Sequence, residues 1–129
     1  EGAGELVREL GEAGHHLGIA TGKSRKGLDR ALAGSGIGGL FHATRCADEC
    51  HSKPHPQMLE ELMDEFAVPP ARTLMIGDTT HDLLMAKNAG VPAVAAAYGA
   101  HPREALAAEA PLHLARDIGD LRQWLFANA

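Results

Sequence analysis

The chain has 129 residues, enough for one domain with a real core. Its 12 basic and 17 acidic side chains give a formal charge of −5, which argues against a surface built around nucleic-acid phosphates. No apolar stretch is long enough to span a bilayer as a helix and no signal peptide is visible; two cysteines make no disulfide framework, so a reducing cytoplasm is the expected setting.

Leu6, Val7, Leu10 and Ala13 recur at helical spacing and mark a first helix that ends near Gly14. Residues 16–21, HLGIAT, read as a buried strand. Ser24 is placed to cap a second helix through Leu28, Ala31 and Leu32, which runs into the glycine-rich stretch 34–39. A short, weak strand is expected near 41–47. Pro56 suits the first turn of a helix through Leu59, Leu62, Met63 and Phe66 that stops before Pro69 and Pro70. Strand 73–76, helix 80–89 and strand 93–97 follow, the last with poor periodicity because alanine dominates it. Helices near 102–109 and 118–126 complete the order. Strands alternating with helices over short loops predict an α/β fold, a doubly wound parallel sheet covered on both faces, in a single domain over residues 1–129.

The most informative run is 75–90, MIGDTTHDLLMAKNAG. An apolar strand ends at Gly77, and two carboxylates follow four residues apart, Asp78 at the strand end and Asp82 in the first turn of the next helix. Gly90 is placed to stop that helix. Ligands of open α/β sheets bind at this edge. Two carboxylates converging there need a positive group between them, for which Mg²⁺ is the usual choice. The plainer alternative is that Asp78 caps the helix and Asp82 favours its positive end.

Two further loops follow strands. Thr21-Gly22-Lys23-Ser24 offers a hydroxyl and an open backbone at a helix amino terminus, a good place for an anion. A nucleotide P-loop is not expected, because its spacing requires glycine at position 17, where Leu17 stands. The second loop, Ser52-Lys53-Pro54-His55-Pro56, holds a lysine between prolines that restrict it. The same region contains Cys46, Cys50, His51 and His55, whose spacing matches no common zinc knuckle. The remaining histidines are scattered and receive no ligand role, although His81, between the two acids, is placed to touch a substrate.

Taken in order, Thr21, Lys53, and Asp78 with Asp82, each after a strand, resemble motifs two, three and four of the haloacid dehalogenase (HAD)-like hydrolases, in particular the phosphoglycolate phosphatase-like branch. The resemblance covers nearly the whole chain, including Lys53-Pro54-His55-Pro56, the helix end at Ala86, Ala89 and Gly90, and Tyr98-Gly99. It implies a Rossmann-like core and a Mg²⁺-dependent phosphomonoester hydrolase that acts on a small phosphorylated metabolite through an aspartyl-phosphate. It further implies that Thr21 binds the transferred phosphoryl group and that Gly22, where relatives often have asparagine, offers its amide. Lys53 would neutralise charge and hold the nucleophile. The two acids would hold Mg²⁺, Asp78 meeting it directly or through water and Asp82 supporting from nearby.

One departure bears on activity. The first motif of such enzymes, DxDGT or DxDxT, supplies the nucleophile and the general acid, and none of Asp29, Asp48, Asp64, Asp117 and Asp120 has those surroundings. The missing segment would carry the central strand of the sheet, so the expected object is a fragment, a processed product or a chain whose amino-terminal part lies outside this sequence. The chain alone is then expected to be inactive. Its sheet, short of a central strand, is expected to take one by self-association or strand exchange, or to close up and distort the site. Only 32 residues separate Thr21 from Lys53, so no cap domain fits between them and any cap lies upstream. A non-catalytic remnant that binds a partner is the alternative reading. A receiver-type signalling domain is disfavoured, since there the acids precede the threonine and lysine.

Overall fold

The computed structural model describes residues 3–36, 38–51, 53–98 and 101–128. Its elements in order are α1 (Ala3–Glu12), β1 (Gly18–Ala20), α2 (Arg25–Ser35), β2 (Ala43–Arg45), α3 (Gln57–Phe66), β3 (Met75–Gly77), α4 (Thr80–Ala89), β4 (Ala93–Ala96), α5 (Arg103–Ala107), β5 (Leu114–Ala115) and α6 (Ile118–Asn128), with short 3₁₀ turns at Gly38–Leu40 and Pro70–Arg72. Ser24 caps α2 as its sequence position suggests, its hydroxyl accepting from the Gly27 amide, and Gly90 ends α4 in the left-handed region at φ 73°. Pro56 lies just outside α3, at its N-cap, rather than inside the first turn. The two-residue β5 escapes sequence reading because it is too short to show a period of two. No described helix is long and apolar enough to cross a membrane.

Among the described residues all strand pairs are parallel, and they form two separate blocks, β1-β2 and β3-β4-β5. β1 and β3 share no ladder, so the strands flanking the expected gap have not closed up. Helices cover both faces of the three-stranded block. On β4, Val94 packs with Leu6 of α1 and with Leu121 and Leu125 of α6, while its neighbour Ala95 packs on the other side with Leu83 of α4 and Leu106 of α5. α3 bridges the blocks: Met58, Leu59 and Met63 pack with Met75 of β3, Met85 and Ala86 of α4, and Ala20 of β1. One residue stands out against this packing. Ile76, in the middle of β3, is 38% exposed, and among the described residues β3 pairs with β4 alone.

The junction of β5 and α6 is fastened by Asp120. Its carboxylate accepts from the Arg116 amide and from His113 Nε2, both at 2.9 Å, and His113 stacks on Trp124. The Arg116 amide, and then the His113 ring, hold the Asp120 carboxyl down at about 2. A carboxyl lowered on folding adds stability that is fully present above its unfolded value near 3.8 and is lost as the pH falls to about 2. Asp120→Asn should therefore melt earlier than wild type at neutral pH, with the difference shrinking between pH 4 and pH 2 in thermal melts. A constant difference across that range would assign Asp120 no such role.

Candidate active site

The chain leaves β3 at Gly77 and turns through Asp78 into α4, whose N-cap is Thr79. Thr79 Oγ1 accepts from the Asp82 amide at 3.1 Å, and Asp82 Oδ2 accepts in return from the amides of Asp78 and Thr79 at 3.1 and 3.3 Å. This capping box supplies partners for amides that a helix start leaves unpaired. Capping thus falls to Thr79 and Asp82, not to Asp78. Asp82 Oδ1 accepts from Lys53 Nζ at 2.5 Å, and the residue is only 4% exposed. Burying a carboxylate is unfavourable without a cation and hydrogen bonds, and Asp82 has both. Gly77 makes room for it: a Cβ there would lie 2.3 Å from Asp82 Cβ and 2.8 Å from Oδ2.

Asp78 is different. Its backbone is held, the amide by Asp82 and the carbonyl by the His101 amide at 3.3 Å, yet its half-buried carboxylate has no hydrogen-bond or ion-pair partner among the described residues. Together with burial and the charge of Asp117, that carboxylate pushes the Tyr98 phenol up. His101 reaches across from the loop after β4, its Nδ1 accepting from the Thr80 amide at 3.1 Å. Nothing in the sequence singles out His101, because an isolated histidine in a loop carries no signal of this kind.

Lys53 sits in the loop between β2 and α3. One of its three N–H donors meets Asp82, which leaves the others for a ligand. The loop is fastened around it. Asn88 of α4 donates to the Pro54 carbonyl at 2.9 Å, and Gln57 Oε1 accepts from the His51 amide while its Nε2 donates to Glu61. Arg45 of β2 donates in turn to Glu61 and Glu65 of α3. Cys46 is fully buried, and Cys50 donates weakly to Glu61 at 3.5 Å. His51 and His55 face each other at 4.5 Å. Ser52 and Gly99, which the sequence reading also quoted, lie outside the described residues.

Thr21 extends the β1-β2 ladder, its amide donating to the Arg45 carbonyl at 3.1 Å. Its hydroxyl oxygen accepts from the Lys23 amide at 3.1 Å, which leaves the O–H free to donate. A Cβ at Gly22 would meet nothing within 4 Å, so the loop is open there. The structure thus joins Lys53, Asp82 and the Asp78 backbone directly, while Thr21 belongs to the other block and makes no hydrogen bond or ion pair with them.

For a Mg²⁺ ion the chain offers the free carboxylate of Asp78; Asp82 Oδ2 accepts from two amides, and Oδ1 keeps one lone pair beside Lys53. No group of three or more His, Cys, Asp or Glu side chains suited to a metal exists among the described residues. That donor set fits an ion held through few protein ligands plus water and phosphate oxygens, and does not by itself make a cage. The other aspartates are engaged or remote. Asp29 and Asp48 bond to Arg25, Asp64 is exposed on α3, Asp117 accepts from the Asp120 amide, and Asp120 holds Arg116 and His113.

The chain is 33% identical over 118 residues to pyrophosphatase PpaX of Bacillus mycoides and 32% identical over 126 residues to a phosphoglycolate phosphatase of Vibrio vulnificus. These alignments cover 91% and 97% of the chain and 55% of each relative, so the chain spans about half the length of the curated relatives it matches. A crystal structure of a predicted phosphoglycolate phosphatase from Haemophilus somnus superposes with a TM-score of 0.89 at 26% identity, over 96% of this chain and 56% of that one. A hydrolase from Pseudomonas syringae shares the fold with a TM-score of 0.89 at 23% identity, over 99% and 60% of the two chains. Residues 1–96 match the family described as haloacid dehalogenase-like hydrolase, and the chain belongs to that family.

Proposed function

We propose that this chain is the larger part of the core of a Mg²⁺-dependent phosphomonoester hydrolase. It acts on a small phosphorylated metabolite through an aspartyl-phosphate, with the nucleophile on a strand that this sequence does not hold. The observation that carries the reading is the carboxylate of Asp78, without a partner among the described residues, at the carboxyl end of β3 where its own amide is bonded to the Asp82 that holds Lys53. Phosphoryl transfer needs positioning and charge neutralisation more than covalent machinery, and these residues divide that work. Thr21 Oγ and the Gly22 amide orient phosphoryl oxygens, and Lys53 sets an ammonium against them. Asp82 is a positioning residue that aims Lys53 and fixes the Asp78 backbone. Asp78 would hold the Mg²⁺, which when bound neutralises charge on the phosphoryl group. The relatives named for pyrophosphate and phosphoglycolate support phosphate release as the reaction class.

On this reading the protein works in the cytoplasm, which its two free cysteines suit, with no nucleic-acid or membrane partner. By itself the chain is catalytically silent, and its unpaired strand edges take a strand from a further segment or by exchange with a second copy.

The metal role has a direct test. Millimolar Mg²⁺ added to the 129-residue chain should shift the amide resonances of Asp78, Thr79 and Thr80, and Asp78→Asn should abolish the shifts. In a form completed with its nucleophile strand, Asp78→Asn should lower turnover at least about a hundredfold. Unchanged rates there, or Mg²⁺ shifts that survive the substitution, would remove Asp78 from the metal site.

A further inference from the structure

The loop that leaves β1 and the loop that leaves β2 are cross-braced at three points within five residues of Thr21 or Lys53. The Ala47 amide donates to the Lys23 carbonyl at 2.9 Å, and the Arg25 amide donates to Asp48 Oδ1 at 3.0 Å. The Arg25 guanidinium grips Glu49 with two bonds, Nε to Oε2 at 3.0 Å and Nη2 to Oε1 at 2.9 Å. Glu49 Oε1 also accepts from the Cys46 amide at 3.0 Å, so the carboxylate ties the guanidinium to the first turn of the Lys53 loop. The same guanidinium reaches the Thr44 hydroxyl at 2.7 Å and the Thr44 carbonyl at 3.2 Å, and Asp29 one turn along α2. Arg25, and then the Cys46 amide, hold the Glu49 carboxyl below its usual range.

We propose that Arg25 and Glu49 are positioning residues that set the anion-binding loop of Thr21 and Gly22 against the loop of Lys53. The inference rests on the functional reading given above. Thr21 and Lys53 make no bond with each other, so their separation is set by what joins their loops. β1 and β2 are paired over only three residues, and beyond Thr21 the chain leaves the ladder. The brace takes over where the ladder stops. An isolated exposed ion pair would do little, but a planar fork bonded at four acceptor groups fixes an orientation as well as a distance. Lysine supplies the charge without the fork.

The test titrates inorganic phosphate into the wild-type chain and into Arg25→Lys and Glu49→Gln, following the Thr21 and Gly22 amide resonances. The wild type should show saturable shifts at both. Each variant should weaken binding by about tenfold, since misplacing a binding group by a fraction of an ångström to an ångström has effects of that order or larger. Melting temperatures should move by less than about 5 °C, as expected for an exposed pair. Glu49→Gln keeps the shape and the acceptor for the Cys46 amide, so it tests the brace if Arg25→Lys folds poorly. Wild-type shifts with unchanged phosphate affinity in both variants would overturn the brace and leave the site standing. No wild-type response at Thr21 and Gly22 would remove the site and the brace with it.

Discussion

Gly77→Ala is expected to destabilise the chain by about 3–5 kcal/mol in denaturant unfolding and to weaken phosphate binding at the same time. The reason is steric and then electrostatic. Gly77 is buried, and its φ is not in the left-handed region, so backbone freedom is not what position 77 needs. What it needs is the absence of a Cβ, which would stand 2.3 Å from Asp82 Cβ. Asp82 cannot yield without releasing Lys53 from one oxygen and the Asp78 and Thr79 amides from the other. A single methyl group therefore disturbs a helix cap, a buried ion pair and the loop that presents Asp78. Taking the counterpart from a buried charge usually has an effect of the size given above, and here Asp82 is buried while Lys53 is half-buried.

Two comparisons separate this account from general damage by a larger residue. Gly22→Ala places its Cβ in open space and should leave stability within about 0.5 kcal/mol of wild type. Asp82→Asn keeps the size of the side chain but has only one acceptor end. Its oxygen must serve either Lys53 or the capped amides, so part of the Gly77→Ala loss should appear without any clash. If Gly77→Ala proves as mild as Gly22→Ala, the close approach of Asp82 to β3 is not a constraint on the fold.

Much of this arrangement is legible in the sequence because local chemistry agrees with tertiary position. The apolar run before Gly77 and the stop at Gly90 are local signals, and α4 forms at Thr80–Ala89 between them, although Thr79 and not Asp78 caps it. Lys53 after β2 and Thr21 after β1 are also where strand-end reasoning places them. Three things were not legible. That Asp82 turns one oxygen to Lys53 and the other to the Asp78 and Thr79 amides depends on where Lys53 comes to lie in three dimensions, across 29 positions of sequence. His101 and Arg25 act through bonds between loops, and neither is flagged by periodicity or by a motif. β5 exists because the edge of β4 draws two residues into a ladder, a tertiary effect that a two-residue segment cannot announce.

The break in the ladder between the two sheet blocks leads to the other large expected effect: on the function proposed above, a parallel strand placed in that slot should bring Mg²⁺-dependent phosphatase turnover to a chain that has none without it. The alternation of a strand shows which groups wait for it. The Thr21 amide donates to β2 and the Met75 amide to the segment entering β4, so the amides of Ala20 and Ile76 point to the opposite edges, towards the slot. In the 129-residue chain the Ala20 and Ile76 amides should exchange rapidly with solvent, while those of Thr21 and Val94 are protected. Co-expression with a segment carrying a DxD strand should protect Ala20 and Ile76. In a parallel strand two residues apart share one face, so both carboxylates of such a motif reach the site together. Aryl-phosphate turnover should then appear, depend on Mg²⁺ and be absent from the chain alone. If the chain instead completes its sheet by exchange, sedimentation will show a concentration-dependent dimer in which both amides are slow and no turnover appears. Metal-dependent turnover by the pure 129-residue chain would refute the claim that its nucleophile is missing, and slow exchange at Ala20 and Ile76 in a monomer would show that no strand-wide slot exists.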